Sequence, residues 1–143
     1  MITDRDTLDR WYSGEKPSGV AYSLNDVVIA PPGDVSGDLA SVISLESVNP
    51  SVTFLIERTS GASEVVAQSD LALLIYMPML DECTDVWRPV AARPVRDFVA
   101  KVLSTCPEDE QWCFPSGTLV EYKERNLSGG ARFVAVREAG NAA

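Results

Sequence analysis

The chain has 143 residues, 45% of them hydrophobic and 23% charged, with 21 acids against 12 bases and a formal net charge of −9. That length suits one ordinary domain or two very small ones, and the composition excludes a disordered chain. No stretch approaches the roughly 18 consecutive apolar residues of a membrane helix, and the N-terminal MITDRDTLDRWYSG shows no basic head followed by an apolar core, so the expectation is a cytoplasmic protein without membrane contact.

In chain order, Thr3 to Tyr12 predicts a short helix. Thr3 is placed to cap it, Asp4 and Asp6 suit its positive end, and Leu8, Trp11 and Tyr12 share a face. SGEKPSG ends it. From Ala21 the period changes to two: DVVIA (26–30) is a compact strand, and the proline- and glycine-rich loop APPGDVSGD leads into the alternating LASVISLES (39–47). After the turn NPS, VTFLIERT puts Val52, Phe54 and Ile56 on one face, and Ser60 and Gly61 turn the chain into SEVVAQ. In QSDLALLI, Ser69 or Asp70 is placed to cap a single helical turn before a closing strand. Strand, long loop, three-strand meander, tight turn and closing strand is the order a small barrel requires, and in shape it resembles the SH3 or Tudor type.

The segment YMPMLDECTDVWRPVAARP (76–94) is interrupted by prolines and reads as irregular, laid across the barrel by its apolar content. In VRDFVAKVLST, Phe98, Val99, Val102 and Leu103 recur at helical spacing, which leans the expectation to helix, with a strand left open by the β-branched residues. GTLVEYKER and ARFVAVRE read as a hairpin joined by NLSGG, with one face wet and the other dry. The expected fold is therefore mainly β (β-rich α+β): helix and linker over 1–19, an SH3/Tudor-like barrel over 20–76, a connecting segment over 77–94, and a C-terminal hairpin lobe over 95–143 packed with the barrel as one unit.

The chain has no histidine, which removes the usual base of serine and cysteine nucleophiles and the commonest metal ligand. Cys83, Cys106 and Cys113 lack the spacing of a zinc site and read as free thiols, two of them buried. Gly33 and Gly37 are followed by neither the lysine nor the helix of a phosphate-binding loop. Asp34, Ser36 and Asp38 alternate like calcium ligands, but Leu45 stands where a closing glutamate would be needed, so the aspartates read as turn formers. No cofactor or metal is expected. The acids Asp81, Glu82 and Asp85, and Glu108, Asp109 and Glu110, are the candidates for carboxylate chemistry, and adjacent exposed acids read first as solvated loops.

Charge is uneven. Residues 1–87 hold 14 acids and 4 bases, a net of −10, whereas residues 88–143 hold 7 acids and 8 bases, a net of +1. Such a field opposes nucleic acid, and Arg88, Arg93, Arg96 and Lys101 form only a thin basic excess. The expected function is a non-catalytic, acidic protein-binding module, such as an immunity, inhibitor or regulatory protein for a basic protein partner. Asp34, Asp38, Asp81, Glu82 and Asp85 are its candidate contacts. The alternatives are a small enzyme or ligand-binding domain using carboxylates between barrel and hairpin lobe, and an accessory subunit inactive alone. Self-association stays open.

Overall fold

The computed structural model of the chain describes residues 4–80, 87–127 and 130–139. The chain divides into two compact units, Met1–Leu73 and Leu74–Ala143.

In the first unit, helix α1 (Arg5–Tyr12) starts at Asp4, whose Oδ1 accepts the Thr7 N–H at 2.9 Å. Asp4 thus takes the capping place expected for Thr3, because its acceptor reaches the N–H three residues on. Trp11 is fully buried, its indole N–H donating to the Tyr22 carbonyl at 2.8 Å, and the Trp11, Tyr22 and Phe54 rings pack together with centroids 5.7 and 6.1 Å apart along the chain of contacts. The strands β1 (Val27–Ile29), β2 (Leu39–Ser47), β3 (Thr53–Arg58) and β4 (Ser63–Ala67) form an antiparallel meander. A 3-10 turn, Gln68–Asp70, leads into β5 (Ala72–Pro78), which pairs antiparallel with β1 through Ala72 and Leu73. This is the predicted order of elements. The 3-10 turn carries no side-chain cap, so neither Ser69 nor Asp70 has the expected role. Gln68 instead clamps the preceding chain: its Oε1 accepts the Ala21 N–H at 2.8 Å and its Nε2 donates to the Gly19 carbonyl at 3.0 Å. Alternation drives burial, since Val42, Phe54, Ile56 and Val66 face inward while Leu55, Glu57 and Val65 do not.

The second unit contains β5 from Leu74 onward, β6 (Trp87–Arg96), β7 (Val99–Val102), β8 (Leu119–Leu127) and β9 (Gly130–Glu138). Each pairs with the next, and β9 returns to β5 in parallel through Tyr76 and Val134, so five strands close into a ring. Two expectations are corrected here. Residues 87–94 are strand, because Val90 and Ala92 alternate into the core and Pro89 and Pro94 fall at positions where an extended backbone tolerates them. Residues 96–105 contain no helix: Asp97 and Phe98 form the tight turn between β6 and β7, with Phe98 at φ 61°, and period two puts Ala100 and Val102 on the buried face of β7, with Val99 buried on the other. Phe98 and Leu103, which completed the helical spacing, are exposed. The predicted hairpin is present as β8 and β9, with a bulge that leaves Val136 as the extra residue between the Glu121–Arg137 and Tyr122–Ala135 pairs; Val134 and Ala135 are both buried.

The protein is thus mainly β, with a small SH3-like barrel and one short N-terminal helix, but the closing pairing joins β5 to β9, so the ring is made by β5–β9 and not by the strands of 20–76 where the barrel was expected. Among the described residues, no helix is long and apolar enough to cross a membrane.

Candidate functional site

The long loop between β1 and β2 is tied to itself. The Ala30 N–H donates to the Asp38 carbonyl at 2.8 Å, and Asp38 Oδ2 accepts the N–H groups of Gly33 and Asp34 at 3.1 and 2.8 Å. Asp34 Oδ1 accepts the N–H and the hydroxyl of Ser36 at 3.0 and 2.9 Å, bonds that hold its carboxyl below the usual carboxylate range. Arg58, at the end of β3, fastens the loop to the sheet: it donates to the Pro31 carbonyl and to Glu64 at 2.8 Å each, and reaches Asp38 Oδ1 at 3.4 Å. The Arg58 hydrogen bond lowers the Glu64 pKa, and the same bond raises that of Arg58.

Of the sequence-predicted contacts, Asp38 is therefore occupied within the fold and only 15% of its side chain is exposed, while Asp34 is exposed but turned to its own loop. Asp81, Glu82 and Asp85 lie outside the described residues. In the other acidic cluster, Glu110 accepts from the Trp112 indole and from Arg88 Nε at 2.9 Å each, and both bonds lower its pKa. Cys106 and Cys113 are free and half-buried rather than buried, and burial raises the Cys113 thiol, which disfavours the reactive thiolate. No group of three or more metal-ligating side chains occurs among the described residues.

Beside the Arg58 clamp runs a groove of about 330 Å³, lined by Val27, Leu39, Ala40, Ser41, Glu57, Arg58, Thr59 and Gly61. Register explains its composition. Val27 pairs with Ser41 and Ser41 with Glu57, so these three side chains form one row across β1, β2 and β3 on the outer face. The turn after β3 forms its end wall: the Gly61 N–H donates to the Arg58 carbonyl, and Gly61, at φ 94°, turns the chain so that the Ala62 carbonyl accepts the Arg58 N–H, both at 2.8 Å. Glu57 is exposed, and among the described residues it has no ion-pair partner. The next row on the same face pairs Leu55 with Val65, whose exposure is 58%. Period-two alternation in VTFLIERT already assigns Leu55 and Glu57 to the outer face; the cross-strand row that joins Glu57 to Val27 is set by loop lengths that sequence leaves free.

These features define a small β-barrel protein with a partly apolar groove rimmed by Glu57 and with a self-tied loop. Compared with known protein families, curated proteins and solved structures, the chain matches none of them.

Proposed function

We propose that the protein is a non-catalytic binding module for a basic protein partner, which it engages through the groove of its first unit. The observation that carries this reading is Glu57, an exposed carboxylate with no ion-pair partner among the described residues, at the rim of a groove with Val27 and Leu39 in its wall. A lysine or arginine side chain has the matching anatomy, an aliphatic stem for the apolar wall and a cationic head for Glu57. Leu55 and Val65 extend an apolar surface beyond the groove. Net charge adds long-range attraction, because residues 1–73 hold eleven acids against four bases. Asp34 keeps a supporting role in that field, and Asp38 shapes the loop rather than touching the partner.

Affinity capture with the full chain tests this, run in parallel with the Glu57→Lys variant. The expected outcome is a basic protein retained by the parent chain, released at about 0.5 M salt where screening is nearly complete, and lost with Glu57→Lys. A partner that is acidic, or that ignores both salt and Glu57, contradicts the proposal.

A further inference from the structure

The second unit carries a surface of opposite sign, and the strand register shows how it is built. Arg93 on β6 pairs with Lys101 on β7, and Lys101 with Leu119 on β8. Two residues along the strands, Arg96 pairs with Val99, Val99 with Glu121, and Glu121 with Arg137 on β9. Residues directly opposite in an antiparallel ladder share a face, and so do residues two apart on one strand, so both rows lie on the same side of the sheet. The other side holds the buried Ala92, Ala100, Val102 and Val120; on the charged side Val99 is buried as well, so the accessible groups there are the charged side chains around it. A bulge at Val95 is what brings Arg96 into this face: Pro94 pairs with Ala100 and Arg96 with Val99, leaving Val95 as the extra residue.

The two rows present four cations and a single acid. Glu121 accepts from Arg137 at 2.8 Å, and the charge of Arg96 adds to the field that keeps it ionised. Arg93 and Lys101 sit directly opposite each other with no ion-pair partner among the described residues. Like charges in that position destabilise a sheet. The fold gains nothing visible from them, whereas an anion brought from outside would relieve the repulsion.

We infer that the Arg93, Lys101, Arg96 and Arg137 face is a second docking surface, which receives an acidic segment of a protein partner. Four strands and two rows span about 15 Å by 7 Å, enough for two or three carboxylates. Two observations favour a short acidic segment over a nucleic acid. A polyanion would run past the patch onto a chain whose net charge is −9, and its binding would be opposed there. The exposed aromatic next to the patch, Phe98, lies in the turn with its ring against Tyr122, centroids 5.8 Å apart, and neither row itself holds an aromatic side chain on which bases could stack.

The test is fluorescence anisotropy of a labelled peptide of five glutamates flanked by glycine and serine, titrated with the full chain. The expected result is salt-sensitive binding that weakens by about tenfold or more in the double variant Arg93→Glu, Lys101→Glu. Glu121→Gln, which removes the one acid and keeps the shape, should tighten it by about threefold, so the proposal stays testable if the double variant fails to fold. Peptide binding that neither change moves overturns the inference. So does a ten-residue deoxythymidine strand that binds more tightly than the peptide and responds to the same variants. Self-association seen by sedimentation and abolished by the double variant would likewise overturn it, since the face would then serve a second copy of the chain.

Discussion

In the first unit eleven acids face four bases, and the arginine of β3 is held by Glu64, Asp38 and the Pro31 carbonyl. In the second, ten acids face eight bases, and four of those cations gather on one sheet face around Glu121. The difference teaches that net charge alone is a poor guide to which surface meets which partner. Where a cation clamps a loop it disappears from the surface, leaving Glu57 to set the sign of the groove. Where cations stand in register without ion-pair partners among the described residues, as Arg93 and Lys101 do, a surface can be basic on an acidic chain.

The comparison can be broken most forcefully at the core. Trp11→Ala removes the ring that fills the first unit and leaves the Tyr22 carbonyl without its donor, so urea unfolding should show a loss of about 3–5 kcal/mol. Ile75→Ala, the corresponding truncation in the second unit, should cost about 2–5 kcal/mol by the same measurement. Next in size is the loop clamp. Aspartate and asparagine both suit turns, which from sequence makes Asp38→Asn look neutral. The structure predicts a cost of about 1–2 kcal/mol instead, because Asp38 uses one oxygen for two N–H groups and the other for Arg58, and an amide NH₂ cannot accept from Arg58.

A smaller effect lies at the tip of the β6–β7 turn. Phe98 has φ 61°, where any side chain with a Cβ is strained, so at this position glycine should be more stable than alanine by about 1 kcal/mol. That reverses the order expected inside a regular strand, and thermal melts of Phe98→Gly and Phe98→Ala would read it directly.

The smallest expected effect depends on pH. Burial raises the Asp26 carboxyl above its ordinary value, although its oxygen accepts the Ser23 N–H at 2.8 Å. The fold therefore favours the protonated acid, and stability is lost as pH rises through the raised pKa. Asp26→Asn should be more stable than the parent at neutral pH. The advantage should shrink as pH falls through the Asp26 pKa, and an advantage that grew toward acid would refute the assignment.

Much of the first unit was legible in the sequence. LASVISLES became β2 residue for residue, although irregularities after Val42 and Leu45 break its alternation and bury Leu45 on the side of Val42, and the loop, meander and 3-10 turn followed in the expected order. The second unit was harder, for identifiable reasons. Prolines in β6 read as breakers although they stand in an extended backbone, and Phe98 completed a helical pattern that its own positive φ prevents. The candidate contacts were harder still. Asp34 and Asp38 stand out in a loop, yet the structure uses both for bonds within that loop, whereas Glu57 and the Arg93–Lys101 pair gain meaning only from cross-strand register.

The most direct test of two surfaces of opposite sign is a pair of titrations of the ¹⁵N-labelled full chain followed by amide chemical shifts, one with a lysine-rich peptide and one with a glutamate-rich peptide. The account predicts that the lysine peptide moves Leu39, Ser41, Glu57 and Thr59, and that the glutamate peptide moves Arg93, Val99, Lys101 and Glu121. Both peptides perturbing the same residues, or the lysine peptide leaving Glu57 and its row unmoved, would contradict it.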